Sequence, residues 1–268
     1  MISREDHINK ILSAERFAGM KAGTQWLILG AIILIAFYAT GFFDTERLSE
    51  GIPAIVTLAR EMVPPDFTNA GDWIVPVLDT LVMSIAGTAL AIILSVPLGL
   101  LAAANTTPNR FVYFISRSVL NILRAIPELI MGIIFVAAVG FGALPGVLAL
   151  GLHSAGMVGK FFAESVEHVN EAPVESARAT GASSLKTIRY AVLPQAFSQM
   201  ADVTIYRWEY NFRASTVMGM VGAGGIGLEL MASLRIMQYQ EVFAILLVIL
   251  VMVTIIDAIG AWIRKQLR

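Results

Sequence analysis

An all-α membrane protein with about six transmembrane helices is the fold class this sequence predicts, and three observations predict it. Charged residues are only 15% of the 268-residue chain and hydrophobic residues 57%, against roughly 25% charged in an ordinary soluble domain. Mean hydropathy is +0.73, so a soluble fold would lack its polar shell and the bilayer is the solvent that suits the composition. The apolar residues also gather into six runs, each long enough to cross roughly 30 Å of hydrocarbon as a helix. A helix is the required form, because a lone segment in lipid must satisfy its own backbone groups.

The first run, residues 24–43, follows a polar segment, residues 1–23. It has the length of a full span, roughly 20 residues, and exceeds the apolar part of a signal peptide, about 7–15 residues. It reads as a retained first helix. Arg4, Lys10, Arg16 and Lys21 precede it, whereas residues 44–74 carry Asp44, Glu46, Glu50, Glu61, Asp66 and Asp72 against Arg47 and Arg60. The positive-inside rule therefore predicts a cytoplasmic N-terminus and an acidic extracytoplasmic loop, with Trp73 at the membrane interface. Arg264, Lys265 and Arg268 place the C-terminus in the cytoplasm too, which requires an even number of spans.

The other runs cover about 75–104, 111–141, 144–162, 193–218 and 242–263, and residues 75–268 form one membrane domain. The third run contains Pro127 and Glu128, so one kinked helix and two separate helices both stand as readings. The fifth carries Asp202, Arg207, Glu209 and Arg213. In this topology residues 163–192 are cytoplasmic, in agreement with Arg178, Lys186 and Arg189.

That cytoplasmic segment holds the most specific pattern in the chain. Glu175-Ser176-Ala177 is followed by Gly181, and after nine further residues by Ala191-Val192-Leu193-Pro194. Pro173 suits a helix start, predicting a short helix over about 174–180. Gly181 can turn the chain at its end. Ser183 can cap a second short helix over about 184–191, with Pro194 near the start of the fifth run. The product is a helix-turn-helix elbow at about 171–192.

The spacing of Glu175, Gly181 and Pro194 resembles the Glu-Ala-Ala signature of ABC importer permeases, with Ser176 and Ala191 as departures from it. Residues 135–156, Tyr206 through Val217, and Val221 through Gly227 are similar to phosphonate permeases, so the resemblance covers about 75–268. It implies a type I ABC importer permease bundle in the bacterial inner membrane, assembled as a homodimer with two ATPase subunits. Glu175, Ala177, Gly181, Leu193 and Pro194 would couple to the ATPase, which would hold ATP and Mg. This chain would need no cofactor of its own. An extracytoplasmic binding protein would deliver a phosphonate, phosphite or hypophosphite.

Other features are weighed against plainer readings. Gly222, Gly224, Gly225 and Gly227 fit the dinucleotide pattern G-x-G-x-x-G, but that pattern needs a preceding strand. Between two spans they read as a close-packed turn near an outer gate. Gly159-Lys160 lacks the rest of a phosphate-binding loop. With no cysteine and His7, His153 and His168 scattered, metal binding is not expected. A net charge of -1 gives no basic excess for nucleic acid.

Charges inside the bilayer are costly unless paired or hydrated. Arg207 with Asn211 and Glu209 with Arg213 each share a helical face. Arg207 or Arg213 could help an anion across, since guanidinium matches tetrahedral oxyanions. Equally, Glu209–Arg213 could be an internal ion pair. His153 and Ser154 either line the pathway or bond a neighbouring helix, and Glu128 with Arg124 is a further candidate pair. An ion-gradient-driven secondary transporter of a small anion is the competing function. No nucleophile or paired-carboxylate centre points to an enzyme.

Overall fold

A computed structural model describes residues 4–267, with side chains from Lys21 onward. The side chains of Arg4, His7, Lys10 and Arg16 lie outside the described residues. Every regular element among the described residues is helical. The chain divides into two units, residues 1–60 and 61–268.

In the first unit, helix α1 (Arg4–Ala39) contains one stretch, Lys21–Ala39, that is long and apolar enough to cross a membrane. It stops short of residue 43 because Gly41 turns the chain at φ 72°. The turn carries an aromatic cluster, with the Phe37 and Phe42 rings 4.8 Å apart and Phe42 and Phe43 5.6 Å apart. Helix α2 (Thr45–Glu61) follows. Much of the segment expected as a loop is thus helical. Asp44 Oδ1 accepts from the Arg47 amide at 3.2 Å, as an N-cap does. The apolar Leu48, Ile52, Ile55 and Ala59 then recur at helical spacing, leaving Glu46, Glu50 and Arg60 on the other face.

The second unit begins with α3 (Ile74–Ala102) and continues through α4 (Arg110–Ala125), α5 (Glu128–Val139) and α6 (Ala143–Glu167). Next come α7 (Glu171–Ala179), α8 (Ser184–Thr187), a π-turn (Ile188–Val192) and α9 (Leu193–Met218). A second π-turn (Gly219–Ala223), α10 (Ile226–Arg235) and α11 (Tyr239–Leu267) complete it. Together with residues 21–39, helices α3, α6 and α11 make four spans by length and composition. Two bent pairs raise the number to six: α4 with α5 at 84°, and Ser184–Ala223 with α10 at 58°.

The third apolar run is therefore broken, at Ile126-Pro127. Proline cannot donate to the helix and forces the residue before it toward extended backbone; Ile126 has ψ 121°. Asn109 starts the first half by accepting from the Val112 amide at 2.9 Å.

Helix α6 is the centre of the bundle and packs on α3, α4, α5 and α9. Small residues allow this. A Cβ on Gly99 of α3 would lie 2.9 Å from Phe162 Cβ, and one on Gly156 of α6 would lie 2.6 Å from the Arg124 amide nitrogen. Close backbone approach gives dispersion contact where lipid offers no hydrophobic drive between helices. Three apolar clusters result. One joins the ends of α3 and α6 to the start of α9 through Ala102, Phe162, Val166 and Val192. A second holds Met83, Met131, Leu150 and Met218. The third holds Trp73, Ile226, Ala244 and Ile245. Trp73 is 3% exposed and plugs the junction of α3, α10 and α11. Its large ring fills space that the small Ala244 leaves open.

Candidate functional site: a buried polar cluster and an elbow

The break at Ile126-Pro127 lies against the most polar place inside the bundle. Helix α9 projects Arg207, Tyr210 and Asn211 toward Ser154 and His153 of α6, Thr88 of α3 and Glu128 in the first turn of α5. Arg207 Nε donates to Ser154 Oγ at 2.7 Å, and Ser154 Oγ donates to Asn211 Oδ1 at 2.9 Å. Asn211 Nδ2 donates to Thr88 Oγ1 at 2.9 Å, and Thr88 donates to the Ser84 carbonyl at 2.7 Å. Four side chains on α3, α6 and α9 are thus threaded by one chain of hydrogen bonds. Ser154 and Asn211 are fully buried, so each bond matters: an orphaned polar group in hydrocarbon costs several kcal/mol.

The charged part of the cluster is built around the broken helix. Tyr210 Oη donates to Glu128 Oε1 at 2.8 Å, while Glu128 Oε2 faces Arg207 Nη2 at 3.5 Å and His153 Nε2 at 3.7 Å. The Arg207 guanidinium also sits 4.1 Å from the Tyr210 ring centroid, a favourable cation–π contact. His153 Nδ1 lies 3.0 Å from the Ile126 carbonyl. The break leaves that carbonyl without a helical partner, since the Ile130 amide turns to Pro127, and the imidazole supplies the donor the helix no longer provides. Neither Glu128 Oε2 nor Arg207 Nη2 has a hydrogen-bond partner of good geometry. An acid and a base thus face each other with bonding capacity in reserve, at a rim where Glu128 and His153 are partly accessible.

Of the residues expected along a pathway, Arg207, Asn211, His153, Ser154 and Glu128 come together here. Arg213 does not. It sits elsewhere on α9, half-exposed, with Nη1 2.9 Å from Asp257 Oδ1 of α11. The internal Glu209–Arg213 pair is not formed: Glu209 instead meets Arg264 of α11 at 2.8 Å. Gly260 makes this possible, since any side chain there would occupy the space of the Glu209 carboxylate. Nor does Arg124 reach Glu128; its Nε donates to Asn121 Oδ1 at 3.2 Å. The partners of Glu209 and Arg213 come from α11, which local spacing on α9 cannot show.

The elbow follows α6. Asn170 caps α7, accepting from the Ala172 amide at 3.0 Å, so the helix starts ahead of Pro173 instead of at it. Gly181, at φ 79°, closes a Schellman turn: its amide donates to the Arg178 carbonyl at 2.9 Å and the Ala182 amide to the Ala177 carbonyl at 3.2 Å. The second arm is not a separate helix. Residues from Ser184 run through the π-turn into α9 as one continuous helix. Pro194 explains the π-turn, since its ring conflicts with the carbonyl four residues back and widening the helix by one residue relieves it. Val174 is buried and Ala177 half-buried against the first apolar cluster, and Leu193 packs there too. Glu175, Gly181 and Pro194 are exposed, with Leu185 and Tyr190 79% and 70% exposed beside them. Spacing did not reveal a latch at the elbow's base: the Asn170 amide donates to Gln195 Oε1 at 3.0 Å.

The glycine-rich stretch is a tight return. Gly222, Gly224 and Gly225 have φ of 103°, 78° and 74°. The Ile226 amide donates to Thr80 Oγ1 at 2.9 Å, and a Cβ on Gly227 would meet the Thr216 carbonyl at 1.8 Å. Backbone is pressed against backbone, leaving no cradle for a phosphate. Among the described residues, no group of carboxylates and histidines could hold a metal.

The bundle has the fold of ABC importer permeases. Its fold matches a chain in "Inward facing conformations of the MetNI methionine ABC transporter", with TM-score 0.64 and 20% identity over 73% of this chain and 96% of that one. It also matches a chain of an amino acid ABC transporter crystallised with histidines, with TM-score 0.62 and 16% identity over 75% of this chain and 98% of that one. Residues 95–268 match the family described as binding-protein-dependent transport system inner membrane component, and the chain belongs to that family. It is 63% identical to the phosphite transport system permease protein PtxC of Stutzerimonas stutzeri, over 91% of this chain and 89% of that one. It is 37% identical to the putative phosphite transport system permease protein HtxC of the same organism, over 89% of this chain and 84% of that one. The protein is thus a multi-pass inner-membrane permease of an ABC system, whose ATPase is a separate subunit and which works with a binding protein. Family membership removes the ion-gradient alternative.

Proposed function

We propose that this permease carries phosphite, or a closely related phosphorus oxyanion, into the cell. The observation that carries the reading is the 63% identity to a phosphite permease along nearly the whole of both chains. Two copies of the chain form the pathway and two ATPase subunits drive it. Both termini and the elbow face the cytoplasm, and the acidic segment 44–74 faces outward. Glu175, Ala177, Gly181, Leu193 and Pro194 make the elbow's ATPase contact. Leu185 and Tyr190 supply its apolar knobs, because a fixed turn with exposed apolar tips transmits a push without dissipating it.

Arg207, Asn211, His153, Ser154 and Glu128 serve the pathway, and Gly222, Gly224, Gly225 and Gly227 shape its outer gate. An oxyanion reaching the rim of the cluster takes the free Arg207 donor, and Glu128 retains Tyr210 and His153. The contact is transient by design, since Glu128 competes for the same guanidinium and a deep well would slow release. Arg213 contributes to the α9–α11 joint and not to passage.

The test is uptake into proteoliposomes holding the complete complex, with ATP inside and the cognate binding protein outside. Phosphite uptake that needs both ATP and binding protein supports the reading. Uptake of an unrelated solute class with none of phosphite removes it. Accessible tags at positions 60 and 185 report opposite faces of the membrane; labelling from one side would overturn the topology.

A further inference from the structure

A second polar place lies on the elbow side of the buried cluster and belongs to none of the machinery above. Arg117, Asn121 and Arg124 of α4 and Lys160 of α6 surround a notch of about 240 Å³ floored by Leu120 and Ala163. Gly156 and Gly159 create it, because they let α4 settle against α6 so closely that a Cβ at either would collide with Arg124 or Leu120. Two of the three cations have carboxylates. Arg117 Nη2 pairs with Glu167 at 2.8 Å, and Lys160 Nζ is 3.6 Å from Glu164. Arg124 has none among the described residues; its partner is the neutral Asn121 amide.

The depth of the notch makes this surplus charge informative. Lys160 is seven residues beyond His153 on α6, roughly 10 Å nearer the elbow end. A cation at that level must find water or an anion. Along α4, Phe114 and Ile122 are 70% and 61% exposed on the stripe beside Arg117, Asn121 and Arg124. An apolar strip bordering a basic notch between helices is the form that receives a phosphate head group with its chains alongside.

We propose that this notch binds a phosphorus oxyanion group, with Arg124 and Lys160 as its charged ligands and Asn121 and Arg117 at its edge. Guanidinium and ammonium together match the spread charge of a tetrahedral oxyanion. Two sources carry this chemistry: the phosphodiester of an inner-leaflet anionic lipid, and a free oxyanion leaving the pathway. The site rests on the geometry of α4 and α6; only the second source rests on the transport reading.

The experiment uses the complete complex in nanodiscs. In one arm phosphatidylglycerol is titrated into phosphatidylcholine discs and its occupancy read by native mass spectrometry. In the other, pure phosphatidylcholine discs are titrated with phosphite and with phosphate. Arg124→Gln and Lys160→Gln are compared with wild type and with Arg213→Gln as a remote control, all as monodisperse complexes. Loss of one charge-assisted contact weakens binding by about 10-fold or more. A fall confined to the lipid arm assigns a lipid site, and one confined to the free-anion arm assigns an exit site. Affinity unchanged by both substitutions in both arms, or reduced equally by Arg213→Gln, overturns the proposal. Binding that persists in a complex unable to take up phosphite would count against the transport reading and leave the notch standing.

Discussion

The elbow and the polar cluster lie next to each other along the chain, joined by α6 and α9, yet they are made in opposite ways. Between residues 170 and 195 every constraint but the Asn170–Gln195 latch is set within a few positions of itself: an asparagine cap, a glycine at φ 79°, a proline answered by a π-turn. The cluster takes residues from α3, α5, α6 and α9, and its hydrogen bonds between side chains span 53 to 123 positions of sequence. The elbow is an exposed local shape that presents itself to a partner. The cluster is a buried long-range network, and its members hold one another. A substitution in the elbow should therefore damage communication and spare the fold, while one in the cluster should damage both.

The sharpest way to break this comparison is Glu128→Ala. It strands the Arg207 guanidinium without a countercharge, which for a buried pair costs about 3–5 kcal/mol. The expected result is a large loss of thermal stability in detergent and loss of uptake; a variant of wild-type stability would mean that the cluster is not a structural unit. Ser154→Ala comes next. It removes the acceptor of Arg207 and the donor to Asn211 at once, for about 1–3 kcal/mol, read in the same melting experiment. At the elbow, Gly181→Val forces a β-branched residue into left-handed backbone and costs about 1–2 kcal/mol. Its expected signature is different: the complex assembles and hydrolyses ATP, but uptake per ATP falls several-fold. Coupling that stays intact would show the turn to be dispensable. The smallest effect belongs to Arg213→Gln, whose half-exposed pair with Asp257 is worth under about 1 kcal/mol. Uptake should stay within about twofold of wild type, in contrast to Arg207→Gln, and equal damage from the two would erase the distinction between the arginines.

The same contrast explains what could be read in advance. Six apolar runs, the family resemblance, the elbow and five members of the cluster are legible because composition, periodicity and short spacing encode them. The amphipathic α2 was legible in principle, through Leu48, Ile52, Ile55 and Ala59, but the acidic residues pointed to a loop. The pairing of the remaining charges was not legible. Glu209 and Arg213 stand four apart on one helix, a spacing at which ion pairs form, yet α11 offers each a better partner and Gly260 removes the obstacle to one of them. The burial of Trp73 shows the same limit, since it depends on packing with Ala244 and Ile245 of a distant helix.

The π-turn at Ile188–Val192 carries a consequence for aim. A π-turn holds one residue more than the α-helical turn it replaces, and one residue is roughly 100° of rotation about the axis. The direction in which Leu185 and Gly181 face, relative to Arg207 farther along the same helix, is therefore fixed by a single surplus residue beside Pro194. Straightening that turn into regular α-helix at constant length would swing the elbow, Leu185 and Gly181 with it, about a quarter of the way round α9.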